Sequence, residues 1–345
     1  MDHLKVFKRA LETTWRYRVL WVFGILIALV TPRGGGGGGG NASVPGNGDL
    51  GRLDLVPELP PISPQVVSSI IAVGVAVAVG LACMVLLMVV VTTVLRYLSH
   101  TALIRLVDHH EETGERQGVR QGFRLGWSRS ALHLFLIDLL IGVPTAVVFI
   151  LLFLLALFPL LLWATGSQIA GILGTVAVVG LVLMVVLLLI IVTAVLTLLT
   201  HFFQRACVLR QLGVFDSIGQ GFGLVRRHPK DVAIMWLIMI GAGLAWLLIM
   251  VPLMILFVLL ALALGGVPAL VMGGLASLAL NGALPWILAG AIALPIFILV
   301  TAIPAIFLSG LYEVFRSTAW TLTYRELGGL ENQLANDKWQ MADDK

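Results

Sequence analysis

The sequence predicts an all-α polytopic membrane protein with about six transmembrane helices, and two observations support that fold class. The 345-residue chain is 59% hydrophobic and only 12% charged, with a mean hydropathy of +1.03. Soluble domains carry about 25% charged residues, so this chain has too few polar side chains to cover a surface that faces water. Long apolar runs also recur along the chain, most of them reaching the ~20 residues that a helix needs to cross a bilayer.

Six apolar stretches define the predicted transmembrane helices. They cover residues 17–30, 66–95, 132–164, 169–199, 232–264 and 284–311. A further apolar piece, 267–280, is too short to cross a bilayer, so we expect a re-entrant or surface segment, or an extension of its neighbours. Residues 1–330 are predicted to form a single membrane domain.

Two segments outside the spans are predicted to be flexible or polar. Residues 31–65 contain seven consecutive glycines and a proline-rich stretch, and glycine loses the most conformational freedom when it is ordered. We therefore expect a flexible outer loop between the first two spans. Residues 331–345 are predicted to form a polar cytoplasmic tail.

The basic residues predict the orientation in the membrane. Twenty of the 22 lysines and arginines fall in the amino end, in 96–130, in 205–231 or after residue 313. Basic loops are retained on the cytoplasmic side, so we expect both termini in the cytoplasm and the chain in the inner (plasma) membrane. The same loops account for the basic pI near 9.3 without nucleic-acid binding. The predicted partners are the lipid bilayer and other membrane proteins or a second copy of the chain.

An internal repeat is suggested by three segments that share one layout, in which an amphipathic piece precedes two spans and a charged tail. Residues 119–123 (VRQGF) match residues 218–222 (IGQGF), and each stands shortly before a span. The tails after the second span of each pair also correspond, at intervals of 105 and 112 residues. These tails are His100-Thr101-Ala102, Arg205-Ala206-Cys207 and Ser317-Thr318-Ala319. We therefore predict three repeats of an amphipathic helix followed by a helical hairpin.

The amphipathic pieces have an apolar and a basic face. In the second piece, Val119, Phe123 and Trp127 recur every four residues, and so do three arginines, which places each set on one helix face. A helix of this kind lies flat at a lipid interface. The first piece has the apolar residues Leu4, Phe7, Leu11 and Trp15, and the third has Val214, Ile218, Phe222 and Val225. The predicted headgroup contacts are Arg116, Arg120, Arg124, Arg226, Arg227 and Lys230, with ordinary interfacial anchoring as the alternative.

This layout resembles a known group of membrane domains. Residues 215–222 (FDSIGQGF) and the basic turn before the next span are similar to segments of a broad set of poorly characterised prokaryotic membrane domains. One of these is the membrane portion attached to some glycerophosphodiester phosphodiesterases. The resemblance covers most of residues 1–330 and implies a polytopic membrane fold. The catalytic half of those enzymes is absent, and no His-Arg-Gly motif is present, so the resemblance implies no catalytic residue.

A run of acidic and histidine residues at 108–112 is the strongest motif for metal binding. His109, His110 and Glu111 offer imidazole and carboxylate ligands for a divalent ion. Neighbouring side chains on a helix point in different directions, however, and no distant partner ligand stands out. A solvated polar loop is therefore the preferred interpretation, and metal binding by these residues is the alternative.

Asp138 is the only acidic residue well inside a predicted span, and an ionisable group there is a functional hypothesis by default. Arg129 and His133 are close enough in sequence to pair with it, so local structural pairing is the alternative. The remaining charged residues near span ends have simpler interpretations. Arg96, His201 and Arg205 are expected to extend to the headgroups, and Glu313 and Arg316 to pair on a helix surface.

No catalytic function is predicted. The chain has no Walker, HExxH or GxSxG motif and no recognisable cofactor site. We therefore expect a non-catalytic scaffold or accessory subunit of a membrane complex. The alternative is a transporter or lipid-handling protein with a path between the repeats. A polar cavity lined by Asp138, Thr92, Thr93 and Thr193 would favour the alternative, and a dry, tightly packed interior would favour the scaffold.

The charge distribution makes a direct prediction about topology. Cysteines introduced at Gly37 and at Gly118 should react with a membrane-impermeant maleimide from opposite sides of the membrane. The chain with only its native cysteines, Cys83 and Cys207, is the control for background labelling. Labelling of both positions from the same side would contradict the predicted orientation.

Overall fold

The computed structural model describes residues 2–31, 64–278, 282 and 284–343. Within these residues the chain is almost entirely helical and contains no strand. Five of the described helices are long and apolar enough to cross a membrane, and there are six candidates if the bent pair at the amino end counts as one span. The predicted fold class, an all-α polytopic membrane protein, is therefore confirmed.

Ten α-helices follow one another in the described part of the chain. They are α1 His3–Arg16, α2 Val19–Val30, α3 Pro64–Thr113, α4 Val119–Gly126, α5 Arg129–Leu157, α6 Gln168–Arg210, α7 Val214–Arg227, α8 Pro229–Ala261, α9 Val267–Ser277 and α10 Leu284–Asp343. A 3-10 segment, Phe158–Thr165, continues α5, and a π-helical turn, Leu262–Gly266, joins α8 to α9. Helices α1 and α2 meet at an angle of 94°, which separates the amphipathic first helix from the short first span.

Three helices continue far past the predicted ends of their spans. Helices α3, α6 and α10 were expected to end near residues 95, 199 and 311, but they run on to Thr113, Arg210 and Asp343. The predicted polar tail, 331–345, is thus helical as far as Asp343. Helix α3 continues because its apolar residues keep helical spacing, and Leu103, Leu106 and Val107 are buried against neighbouring helices.

The piece at 267–280 extends the fifth span. Helix α9 follows α8 through the π-helical turn, so that Pro229–Ser277 forms one long helical element, and α9 packs against α10. Of the alternatives for this piece, the extension is the one observed. The predicted flexible loop at 31–65 lies almost wholly outside the described residues.

The buried core lies at one end of the bundle, the end that carries most of the lysines and arginines and is here called the inner end. In the most apolar window of each long span, no more than 6% of the residues are buried within the protein. The buried side chains come mainly from the inner parts of α3, α6 and α10. They include Ala102, Leu103, Val107, Phe202, Ala206, Cys207, Val314, Ala319 and Trp320. The helices therefore converge at the inner end, and in their outer halves contacts remain within pairs such as α5–α6 and α9–α10.

Each amphipathic helix packs against a long helix through small residues. Helix α4 packs on α3, α7 on α6, and α1 on α10. A Cβ atom added to Gly122 in α4 would lie 2.9 Å from the Leu106 side chain of α3, and one added to Gly221 in α7 would lie 2.6 Å from the Phe203 ring of α6. Ala10 is the smallest of the buried residues of α1 and has no exposed surface. This cyclic order fits three repeats, although the repeat itself stays a prediction.

The apolar faces predicted from the sequence are only partly buried. Phe7, Phe123 and Ile218 pack against buried clusters. Leu4 in α1, Trp127 after α4 and Phe222 in α7 are 79%, 75% and 50% exposed. The small residues face the protein because they allow the backbones to approach, and several of the largest apolar side chains point outward. Outward apolar side chains beside basic residues suit a helix that lies at a lipid interface.

The closest helix crossing joins α2 to α10 through two glycines. A Cβ atom added to Gly310 would lie 2.7 Å from the backbone nitrogen of Ile25, and one added to Gly24 would collide with the Gly310 carbonyl oxygen. Backbone atoms cannot rotate out of the way as a side chain can. Small residues at such crossings are how helices gain packing energy in lipid.

Gly310→Ala should destabilise the protein because the new methyl group forces α2 and α10 apart. Overpacking of this kind reduces the free energy of unfolding by about 1–3 kcal/mol, which thermal unfolding in detergent would detect. Gly180→Ala is the matched control, because nothing lies within 4 Å of its added Cβ. That control should be neutral or slightly stabilising, and equal stability of the two variants would contradict the proposed crossing.

Candidate functional site

A polar cavity of about 510 Å³ lies near the inner end of the bundle, between α2, α3, α5, α6 and α10. Its ionisable side chains other than tyrosine are Arg96, His100, Asp138, His201, Glu313 and Arg316. Gln204 and several threonines, including Thr145, Thr193, Thr197 and Thr200, add further polar groups. Apolar side chains such as Ile141, Phe149 and Leu189 line the rest of the wall. The long helices thus enclose a polar space within an otherwise apolar bundle.

Asp138 connects three helices within this cavity. The Tyr97 hydroxyl of α3 donates a hydrogen bond to Asp138 Oδ2 at 2.9 Å, and the Gln204 amide of α6 donates one to Oδ1 at 3.1 Å. Among the described residues, the predicted partners Arg129 and His133 form no hydrogen bond or ion pair with Asp138, and Arg129 is exposed. The carboxylate therefore faces the bundle interior, where residues from α3 and α6 hold it.

Two guanidinium groups balance the two carboxylates of the cavity. The Arg96 guanidinium lies 5.7 Å from the centroid of the Tyr97 ring, and its Nε is buried without a hydrogen-bond partner among the described residues. Arg316 Nη2 lies 3.4 Å from Nε2 of His201, whose ring stacks on Trp320. Glu313 precedes Arg316 by one turn of α10 and is 8% exposed. The lining thus combines two cationic and two anionic side chains with a largely apolar wall.

Arg205 joins α6 to α10 beside the cavity. Its guanidinium donates hydrogen bonds to the carbonyl oxygens of His201, at 2.8 Å, and Ser317, at 3.1 Å. The side chain is only 3% exposed, although burial of a charge is costly unless it is well hydrogen-bonded. Arg205 therefore acts as a structural link between two long helices.

The structure corrects the interpretation of the charged residues at the span ends. Arg96 and His201 line the cavity, and Arg205 is buried, so none of these three extends to the headgroups. Glu313 and Arg316 also line the cavity and thus face the bundle interior rather than an outer helix surface. The reason is that the long helices converge at this level, so their inner ends have interior faces.

A signal for this site was present in the sequence. The intervals of 105 and 112 residues that relate the three charged tails also relate Arg96 to His201 and His201 to Glu313. All three residues line the cavity. A comparison of polar residues across the predicted repeats would therefore have identified them as one set.

Residues 108–112, at the inner end of α3, form ion pairs that link α3 to α10 and to α1. Asp108 forms an ion pair with Arg325 of α10, and Glu111 forms one with Arg9 of α1. The ring of His110 lies 5.2 Å from that of Tyr17. Among the described residues, no group of three or more His, Cys, Asp or Glu side chains could hold a metal ion. These residues therefore belong to the helical end of α3, and the predicted solvated loop is wrong.

The basic residues predicted to meet headgroups lie on the surface near the inner end. Arg116, Arg120, Arg124, Arg226, Arg227 and Lys230 are all exposed. Arg227 also forms a 3.0 Å ion pair with Glu331 of α10, which links α7 to α10. The exposed Trp127 lies three residues after Arg124. The arrangement is compatible with a lipid interface, and headgroup contact stays a prediction.

Comparison with known proteins identifies a family but not an activity. A family model described as a family of unknown function, DUF7544, matches residues 4–316. The chain belongs to DUF7544. No curated protein and no solved structure matches it significantly. The expected membership of a poorly characterised membrane-domain family is thus confirmed, and no match supports the likeness to glycerophosphodiester phosphodiesterases.

Arg205→Lys should destabilise this DUF7544 protein, because an ammonium group cannot reproduce the fork of the guanidinium that reaches two carbonyl groups. Loss of a hydrogen bond to a charged donor reduces the free energy of unfolding by about 1.5–3 kcal/mol, measurable by thermal unfolding in detergent. Arg210→Lys on the exposed end of the same helix is the matched control and should be nearly neutral. Equal effects of the two substitutions would contradict the role assigned to Arg205.

Proposed function

We propose that the protein is a transporter or lipid-handling membrane protein that binds a polar solute or a lipid headgroup in the cavity between its long helices. The observation that carries this proposal is the group of four formally charged side chains, Arg96, Asp138, Glu313 and Arg316, around one cavity. Charged residues in membrane helices are costly, and they commonly mark ligand or ion pathways.

The size and lining of the cavity support ligand binding. A volume of about 510 Å³ lies within the range of about 300–1,000 Å³ that is usual for small-molecule sites. Asp138 and Thr193, two of the four residues expected to line a transport cavity, do line it, whereas Thr92 and Thr93 do not. An apolar wall with a few convergent polar groups can both hold and orient a ligand.

A second, smaller cavity continues the polar region toward α8. It has a volume of about 240 Å³ and shares Thr197, His201 and Arg316 with the first cavity. His201 and Arg316 thus stand between two spaces, one on each side of the α6–α10 contact. A ligand path through the bundle would pass these two side chains.

A second candidate function, a scaffold or accessory subunit, is favoured by a different observation. The described side chains of α3 from Val73 to Val91 are all exposed, so this span has an outer half without neighbours in the described chain. A transmembrane helix of another protein or of a second copy could pack against this exposed apolar face. This function would use the lipid-facing surface and would not need the cavity.

We also propose the inner (plasma) membrane as the location, with both termini cytoplasmic and three repeats that follow the cyclic packing order. The charge distribution supports this orientation, since basic segments stay on the cytoplasmic side. The packing of α1 on α10, α4 on α3 and α7 on α6 supports the repeats. The maleimide-labelling experiment tests the orientation.

Native mass spectrometry of the full-length protein, gently extracted from its membrane, distinguishes the two functions. We expect a bound small molecule or lipid that is lost in the double variant Asp138→Asn, Arg316→Gln, because both substitutions remove charge from the cavity. Asp216→Asn, Arg18→Gln is the matched control, since both residues are exposed and lie outside the cavity. The control should retain the bound mass.

Two other results would contradict cavity binding. A stoichiometric protein partner without any bound small molecule or lipid would support the scaffold. Equal retention of the bound mass by the cavity variant and by the control would show that binding occurs elsewhere.

A further inference from the structure

An apolar groove lies on the lipid-facing side of the contact between α3 and α5. Its volume is about 810 Å³, and Val89, Val90 and Val94 of α3 face Leu132 and Phe135 of α5 across it. From Val89 to Leu98 the groove follows about 13 Å of helix axis. This is close to the ~15 Å depth of one leaflet of a bilayer whose hydrocarbon core is ~30 Å thick. The groove therefore has a suitable length for an acyl chain.

The turn between α4 and α5 closes the inner end of the groove. The Arg105 side chain of α3 holds this turn by donating hydrogen bonds to the Leu125 carbonyl oxygen and to Ser130 Oγ, both at 3.1 Å. A Cβ atom added to Gly126 would lie 2.6 Å from the Leu98 carbonyl oxygen, so the turn fits tightly against α3. The turn places the exposed Arg129 at the end of the groove.

Tyr97 separates the groove from the polar cavity and lines both. Its ring packs edge-on against the Phe135 ring at a centroid distance of 5.6 Å, and its hydroxyl donates to Asp138. The Arg96 guanidinium lies against the same ring. Among the described residues, Tyr97 is the one that lines both the apolar groove and the space with cationic and anionic groups.

We infer that the groove and the cavity form one binding site for a zwitterionic phospholipid, with an acyl chain in the groove and the headgroup in the cavity. This inference rests on the proposed function, because it names the ligand of the same cavity. The guanidinium groups of Arg96 and Arg316 match a phosphate, and the carboxylates of Asp138 and Glu313 match an ammonium group. Tyr97 is the gate, since its side chain must rotate for one lipid to occupy both spaces.

Charge complementarity favours a lipid over a protein segment. A partner helix or a second copy would fill only the groove, and the charged groups behind Tyr97 would gain no partner. A water-soluble solute would fill only the cavity and leave the groove to bulk lipid. A phospholipid has an apolar acyl chain joined to a zwitterionic headgroup. The acyl chain matches the apolar groove, and the headgroup matches the adjoining charged cavity.

The test uses phosphatidylethanolamine with a photoactivatable diazirine in its acyl chain, added to the full-length protein in phosphatidylcholine vesicles. Peptide mapping should show several-fold more labelling in 89–98 and 131–135 than on the exposed face of α8 at 247–251. Leu132→Trp should reduce groove labelling by filling the groove. Leu248→Trp on α8 is the matched control and should leave it unchanged, since Leu248 is 78% exposed and distant in sequence from the groove.

The gate and the headgroup are tested separately. Tyr97→Ala should raise the amount of phosphatidylethanolamine retained per protein in native mass spectra, and unchanged retention would contradict the gate. Phosphoethanolamine, which has the headgroup without chains, should bind to the detergent-solubilised protein and lose affinity in Arg316→Gln.

The outcomes separate the inference from the proposed function. Uniform labelling of the lipid-facing surface, together with phosphoethanolamine binding that depends on Arg316, would overturn the lipid site and leave a solute-binding cavity. Uniform labelling without phosphoethanolamine binding would overturn both. Groove labelling that Leu132→Trp removes, together with Arg316-dependent binding of the headgroup, would support both.

Discussion

The close approach of α3, α6 and α10 at their inner ends is the constraint on which the rest of the structure depends. Lipid tails are as apolar as leucine, so the hydrophobic effect does not draw helices together inside a bilayer, and small residues and polar links must do so. Ala102, Ala206 and Ala319 are fully buried at this level, and the Arg205 guanidinium of α6 donates a hydrogen bond to the Ser317 carbonyl oxygen of α10. Because all three helices meet only at this level, and outer contacts are limited to pairs such as α5–α6 and α9–α10, spaces remain between the helices.

The charged side chains in these spaces are tolerated because most have polar neighbours from other helices. Asp138 receives hydrogen bonds from α3 and α6, and the Arg316 guanidinium lies beside the His201 ring. Such networks stabilise only when their members are satisfied, and they are costly when they are not. Two lining residues, Arg96 and Thr31, have a buried Nε and a buried Oγ1 without a partner in the described part of the chain, and a ligand could add hydrogen bonds there.

Hydropathy predicted the fold class and the approximate spans because a helix inserts into lipid when its side chains are apolar, whatever packs beside it. It could not predict where α3 and α10 end, because residues such as Leu103 and Trp320 are buried by packing beyond the apolar run. It also gave the depth of Arg96 and His201 but not the direction in which they point. A basic residue at a span end extends to the headgroups if it faces outward and lines a cavity if it faces inward, and the packing of other helices decides between these. The intervals of 105 and 112 residues were the sequence signal that Arg96, His201 and Glu313 occupy corresponding positions, all of which line the cavity.

Helix α5 packs more extensively on α6 than on α3, so the side of α5 that carries the groove is the less firmly held side. Helix α5 packs along α6 over much of its length, whereas it approaches α3 mainly around Tyr97 and Phe135. Separation of α3 from α5 would therefore disturb fewer contacts than separation of α5 from α6. The amphipathic helix α4 is held on α3 by close contacts at Gly122 and Gly126, so it would remain with α3. The α3–α5 boundary, with an apolar groove outside and a charged cavity inside, thus opens with less loss of contact than the α5–α6 boundary, and it has the arrangement that a lateral entrance for a lipid requires.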